Sequence, residues 1–244
     1  MTLKQYILNF RIDTKPDEAA TARTRARYQR LSPMYDRMEG VAERRYIPWR
    51  TYLWSQVRGP IVLEVGVGTG KNMLYYPPGL QITAVDLTPG MLERAQKRAV
   101  DLNLNVDLLL GDVQALDFPD ASFDDAVATF VFCSVPDPVS GLQELARVVK
   151  PCGQVLLLEH MRSANRLLGA IMDFLNPMVV RVMGANINRR TVENVEKSGL
   201  VLERVEDLGM GGIFKLITAR VADIPLHTGI RGLSSAGIPI WETT

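Results

Sequence analysis

An α/β fold, with a doubly wound, Rossmann-like sheet in three αβα layers, is predicted by three observations. Between Ile61 and Val155, short apolar, β-branched runs alternate with stretches of helical periodicity. The first run, IVLEV, leads straight into glycines at 66, 68 and 70. Acidic residues recur where successive runs end. Runs that are apolar throughout read as strands buried on both faces, and their alternation with helices implies a parallel sheet with crossover connections. Such sheets bind ligands beyond the carboxyl ends of their strands, so the residues after each run carry the functional reading.

Taken in order, residues 1–60 lean helical: Leu3, Tyr6, Ile7 and Phe10 fall at helical spacing and the Arg-rich TARTRARYQR follows. IVLEV is the first strand, with a helix-like segment from Lys71; ITAVD is the second, followed by the helix PGMLERAQKRAVDL. VDLLLGD, DDAVATFVF and QVLLLEH supply three more strands, with the helix PVSGLQELARVVK before the last. The segment 162–184 places Leu167, Ile171, Leu175, Val179 and Val182 on one helical stripe, broken at Pro177. NRRTVENV then caps and begins a surface helix. LVLERVEDL and GIFKLITARV, separated by Gly209, Gly211 and Gly212, read as strands that pair in a hairpin. The expected organisation is a helical cap over 1–60, a ligand-binding domain over 61–220 with a lid insertion at 162–190, and an irregular extension over 221–244.

Composition narrows the function classes. With 244 residues, 47% of them hydrophobic and 23% charged, the chain suits one generous globular domain. Cys133 and Cys152 form no metal-binding or CxxC spacing, which fits a reduced, cytoplasmic protein without a metal. No run reaches membrane-spanning length, and MTLKQYILNF lacks a signal-peptide core. Net charge is only +1, but residues 1–60 carry 12 Lys/Arg against 6 Asp/Glu, and residues 61–160 carry 6 against 13. A basic front suits peripheral contact with an anionic membrane or an acidic substrate. The charge is too small and too uneven for a nucleic-acid-binding domain, and TFVFCSVPD lacks the Asn/Asp-Pro-Pro-aromatic spelling of base amino methyltransferases.

The glycine turn fails two familiar phosphate-binding spellings. A P-loop would need Gly at Val65 and Ser/Thr at Asn72, and a dinucleotide fingerprint would put its third glycine at Lys71 rather than Gly70. What remains is an acid, Glu64, then G-x-G-x-G, a turn able to approach a ligand closely. Asp86, closing the second strand, is placed to accept both hydroxyls of a ribose. Asp112 is placed to accept the amino group of an adenine, with the Val113 backbone beside the ring. Together these residues describe a nucleoside site.

LEVGVGTG, AVDLTPGMLERAQKRA, GDVQALDFPDASFD and LARVVKPCGQVLLLEH, in that order and spacing, resemble the class I S-adenosylmethionine-dependent methyltransferases over roughly residues 30–220. The resemblance implies a seven-stranded sheet whose last strand, near Gly212 to Ala219, runs antiparallel, and S-adenosyl-L-methionine as cofactor. It implies that Gly66, Gly68 and Gly70 lie beside the methionine part, that Leu87 or Met91 packs on the adenine, and that Thr129 and Phe130 line the methyl-transfer end. SPMYDRMEGVAERRYIPWR resembles the segment ahead of the glycine loop in bacterial phosphatidylethanolamine N-methyltransferases and ubiquinone/menaquinone C-methyltransferases. EVGVGTG, FCSVPDP and the pair Glu159-His160 look closer to the first group and to the animal alkyl-thiol methyltransferases.

That resemblance implies an apolar or lipid-like acceptor, phosphatidylethanolamine nitrogen first, with quinone carbon and alkyl thiol as alternatives. Methyl transfer from a sulfonium needs chiefly alignment of donor and acceptor, plus a route for the acceptor's proton. His160, ending a strand on the ligand side, is the candidate base. Tyr35 is a second catalytic candidate, able to close over the cofactor and orient the acceptor. Arg189, positioned for a bidentate contact with a lipid phosphate, and Glu159 are candidate acceptor-binding residues; Cys133 reads as a core thiol. A cofactor-binding module that acts through protein partners without turnover is the competing reading, because methyl transfer requires no compulsory side chain.

Overall fold

A computed structural model describes residues 16–223. The Leu3–Phe10 stripe and the tail beyond residue 223 lie outside the described residues. The order of elements is α1 (Glu18–Leu31), α2 (Tyr35–Ser55), β1 (Ile61–Val65), β2 (Gln81–Asp86), α3 (Pro89–Asp101), β3 (Val106–Leu110), β4 (Phe123–Thr129), α4 (Pro138–Val148), β5 (Val149–His160), α5 (Arg166–Met183), α6 (Thr191–Lys197), β6 (Val201–Asp207) and β7 (Phe214–Arg220). The seven strands form one sheet in the order β3-β2-β1-β4-β5-β7-β6. β1 to β5 pair in parallel, whereas β7 runs antiparallel to both β5 and β6. The β6–β7 hairpin and the reversed last strand are as the sequence leads one to expect.

Strand alternation divides the core into two layers. Leu63, Val65, Ala126, Ala128, Val155, Leu157 and Ile217 face one side and pack with Leu142, Leu145 and Val148 of α4. Their neighbours Val62, Ala84, Val127, Leu156, Leu158 and Leu216 face the other side, against Leu53 and Trp54 of α2 and Ala95 and Ala99 of α3. Helix starts are fixed locally by side chains that accept otherwise free backbone N–H groups: Asp17 for α1, Asp137 for α4 and Asn165 for α5.

Two local expectations are corrected. The segment from Lys71 forms only a five-residue 3₁₀ helix, Lys71–Tyr75. It starts from Gly70 in the left-handed region and meets Pro77, which holds Tyr76 extended, so no α-helix has room to propagate. Conversely, α5 continues through Pro177, losing one backbone hydrogen bond at an exposed position rather than breaking. Among the described residues, no helix is long and apolar enough to cross a membrane.

Candidate active site at the strand ends

The strand order reverses between β1 and β4, so the segments that leave these two strands diverge and open a crevice. On one side is the glycine turn. Gly66 has φ +65°, and a Cβ there would meet Val131 Cγ2 at 2.4 Å, so only glycine lets the turn close on the loop after β4. Gly68 has φ +56°, and only the Gly66 carbonyl oxygen, at 4.0 Å, would come within reach of a Cβ there, which leaves this face of the turn open. Its N–H donates to Asp86 Oδ2 at 2.9 Å, while the Thr88 N–H donates to Asp86 Oδ1 at 2.8 Å. The carboxylate closing β2 thus locks the turn that follows β1. Burial raises the Asp86 pKa, and the two amide bonds together with the Thr88 side chain pull it back.

Gly66, Gly68, Asp86, Leu87 and Met91 line one cavity together with Asp112, Val113, Thr129, Phe130 and Tyr35. Asp86 offers polar acceptors, Leu87, Met91 and Val113 supply apolar wall, and Thr129 and Phe130 close the end nearest β4. Asp112 accepts from the Gln114 N–H at 2.9 Å, and its other oxygen takes the Thr21 hydroxyl at 3.3 Å. α1 lies across the cavity mouth through contacts of this polar kind: Arg25 Nε donates to the Leu87 carbonyl at 3.1 Å, and the Gly90 N–H donates to Gln29 Oε1 at 2.9 Å. α1 buries none of its own residues.

A smaller polar cavity adjoins the first, sharing Tyr35, Gly66, Gly68, Thr129 and Phe130. Its far wall carries Glu64, Arg50, Lys71 and Asn72. Glu64 is buried, with one oxygen accepting from Asn72 Nδ2 at 2.6 Å and the other from the Tyr76 hydroxyl. Burial pushes its pKa up to about 7 against these bonds and the nearby Arg50. Arg50 donates to Asn72 at 2.7 Å and grips Glu43 with two nitrogens, at 2.8 and 3.3 Å. Lys71 Nζ pairs with Glu39 at 2.8 Å and lies 5.6 Å from the centre of the Tyr35 ring.

A family described as a methyltransferase domain matches residues 63–157. Those residues are thus similar to a methyltransferase domain. Over 113 residues the chain is 38% identical to phosphatidylethanolamine N-methyltransferase of Cereibacter sphaeroides, covering 46% of this chain and 56% of that protein. Over 153 residues it is 33% identical to demethylmenaquinone methyltransferase of Renibacterium salmoninarum, covering 61% of each. The chain therefore spans about three fifths of the length of the curated relatives it matches. A SAM-dependent methyltransferase of Thermotoga maritima superposes with a TM-score of 0.63 at 22% identity, over 80% of this chain and 98% of that one. This last likeness is one of fold.

Not every expected residue reaches the main cavity. Glu64 faces the polar annex, and Gly70 faces neither space, since a Cβ there would meet Met73 Sδ at 2.8 Å and the α3 backbone. His160 lies behind Phe130 rather than beside the cavity. Its ring stacks on Phe130 at 6.3 Å and meets Phe214 edge-on at 6.4 Å, and burial lowers its pKa to about 4. Glu159, on the opposite face of β5, accepts the Val131 and Phe132 N–H groups instead of pointing at a ligand. Arg189 donates to the Val135 carbonyl at 2.7 Å and is largely enclosed, so it presents no free fork to a phosphate. Cys133 is a buried thiol, as expected.

The sequence reading missed two sets. Thr24 and Tyr28 line the cavity from α1, next to Thr21 on the same helical face. Their spacing of three and four residues was the available signal. Glu39, Glu43, Tyr46 and Arg50 form one stripe of α2 with the already named Tyr35, and a mostly polar stripe on an inward-facing helix marks a polar site rather than core.

Proposed function

We propose that the chain is an S-adenosylmethionine-dependent methyltransferase acting on an apolar, lipid-like acceptor, with phosphatidylethanolamine nitrogen as the leading candidate. One observation carries the cofactor assignment: Asp86, with acceptor capacity to spare, and Asp112 share a cavity with the open face of the Gly68 turn and the apolar wall of Leu87, Met91 and Val113. That set fits a nucleoside with a tail directed towards the glycine turn. When bound, the donor supplies a methyl group activated on a cationic sulfur. Asp86 would hold the ribose hydroxyls, Asp112 and the Val113 backbone the adenine, and the annex of Glu64, Arg50 and Lys71 offers both signs of charge to an amino-acid tail. Tyr35 and Phe130, which border both spaces, would exclude water and orient the acceptor. The chain's residues then contribute alignment rather than proton transfer.

Two features favour a lipid-like acceptor. A relative of 38% identity is named for phosphatidylethanolamine N-methylation. α5 also holds Leu167, Ile171, Phe174, Met178 and Val182 towards solvent, with Phe174 84% exposed, a stripe suited to peripheral contact with a membrane. The relative named for demethylmenaquinone supports quinone carbon as the second reading. The test has two stages. Calorimetry with S-adenosylhomocysteine and with NAD should give heat only for the former; heat for NAD alone would overturn the cofactor. Labelled donor should then mark phosphatidylethanolamine in a lipid extract. Label on a demethylated quinone or an added thiol instead would move the acceptor, and donor binding without turnover on any of them would favour a binding module.

A further inference from the structure

The loop after β4 supplies Phe130, Val131, Ser134 and Val135 to the cavity, and its backbone is not at rest. Phe130 sits at φ +58°, a left-handed conformation that a bulky side chain adopts only under constraint. The constraint comes from behind, on the side away from the cavity. Glu159, wholly buried, accepts the next two N–H groups on a single oxygen, from Val131 at 2.8 Å and Phe132 at 2.9 Å. Asn186 holds the Cys133 carbonyl through its backbone N–H at 2.9 Å and its side chain at 3.0 Å. Arg189 holds the Val135 carbonyl. Among the described residues, the second oxygen of Glu159 and the Nε of Arg189 are both buried without a hydrogen-bond partner, and burial raises the Glu159 pKa to about 7 against the two amide bonds and the nearby Arg189.

We infer that Glu159 is a positioning residue: its carboxylate, clamped on two consecutive amides, imposes the backbone conformation that turns Phe130 towards the reacting end of the cavity. Asn186 and Arg189 complete a rear clamp along the same loop. This rests on the methyl-transfer reading for its consequence in turnover, but not for its structural content. The mechanism is specific. Asp125 also takes two successive N–H groups, of Arg58 and Gly59, on one oxygen with no left-handed residue before them, whereas Val131 and Phe132 follow Phe130 at φ +58°, so the pairing of clamp and left-handed residue is what is particular to this loop. A carboxylate merely filling the core would bind amides without demanding a left-handed residue in front of them.

Glu159→Ala removes the clamp, whereas Glu159→Gln keeps a carbonyl able to accept both N–H groups. In E159A, amide exchange at Val131 and Phe132 should accelerate by about 100-fold, with kcat falling by a similar factor and S-adenosylhomocysteine affinity changing by less than about 3-fold. E159Q should recover most of both losses. A second arm uses Phe130→Gly, which accepts φ +58° without strain. The urea midpoint lost on removing Glu159 should then be smaller in the F130G background than in the wild type. Unchanged amide exchange in E159A, or equal midpoint losses in the two backgrounds, would overturn the inference. If E159A does not fold, the E159A/F130G double variant decides: recovered folding supports the clamp, and continued unfolding marks Glu159 as an ordinary core group. Absence of any S-adenosylhomocysteine heat in the wild type would count against the cofactor assignment alone, because amide exchange and the urea cycle read the clamp without ligand.

Discussion

Replacing Asp86 by Asn separates a ligand-binding carboxylate from a merely structural one. Each Asp86 oxygen already accepts one backbone N–H, from Gly68 and from Thr88. A carboxylate offers about four acceptor positions, and the Thr88 side chain also bonds to this one, so about one is left to face the cavity. In D86N one oxygen becomes an NH₂ group, and whichever one it is, a buried backbone amide meets another donor. The lost partner should cost about 1–3 kcal/mol of stability, or roughly 2–10 °C in Tm for a chain of this size. The ligand should lose one charged hydrogen bond, worth about 1.5–3 kcal/mol, which makes S-adenosylhomocysteine bind about 10- to 150-fold more weakly. Asp125 is the control. It is buried and accepts three N–H groups, from Arg58, Gly59 and Gln154, but it does not line the cavity. D125N should lower Tm at least as much and leave the dissociation constant within about 3-fold. Calorimetry and thermal unfolding of both variants supply the four numbers. If D86N behaves like D125N, losing stability while retaining affinity, Asp86 is a turn former and the ribose assignment is wrong.

Glu64, raised to about 7 by burial, holds its proton more tightly in the fold than in the unfolded chain, so its contribution to stability is full below pH ~4.3 and is lost as pH climbs through 7. A cationic donor beside it favours the carboxylate, so apparent donor affinity should rise between pH 6 and 8, more steeply than that of the neutral-sulfur product; an E64Q variant with the same slope would contradict this. H160Q should lower kcat by less than about 3-fold, against the 10²- to 10⁴-fold expected of a general base, because His160 is held neutral behind Phe130. The same depressed pKa adds stability above pH ~6.5 that disappears as pH falls towards 4, which acid unfolding of wild type and H160Q should reveal as a difference. Phe174→Ser with Met178→Ser on α5 should weaken binding to phosphatidylethanolamine/phosphatidylglycerol vesicles by about 10-fold or more while sparing S-adenosylhomocysteine affinity; equal vesicle binding would remove α5 from the membrane contact.

The strands were legible because burial on both faces leaves a continuous apolar run, and the acid closing β2 was legible because backbone geometry puts a strand end at the crevice whatever the side chain. Orientation at the strand ends was not. Glu159 and His160 are adjacent, so the pleat sends them to opposite faces of β5, and nearness to the ligand side says nothing about which one turns inward. Arg189 was misread for a related reason. A guanidinium looks like an anion receptor in sequence, but here a carbonyl of the β4 loop takes it. The α2 stripe from Glu39 to Arg50 was overlooked because its charges look like a solvated helix face until Arg50 is seen to pair with Glu43 and to donate to Asn72 beneath the glycine turn.

Four buried acids near the sheet show that burial and charge alone do not identify a ligand site. Asp125 spends its oxygens on three amides, Glu64 on Asn72 and Tyr76, and Glu159 puts one oxygen on two amides while the other faces the interior near Arg189. Asp86 combines bonds that fix its orientation with acceptor capacity facing the main cavity, whereas Glu64, also bonded once on each oxygen, faces only the polar annex. The useful quantity is therefore the acceptor capacity left after the protein's own donors are counted, together with the direction in which it points. Counted that way, Glu64 stands at the edge of the site, Glu159 lies behind the β4 loop, Asp125 closes a turn, and Asp86 is the group proposed to take a diol.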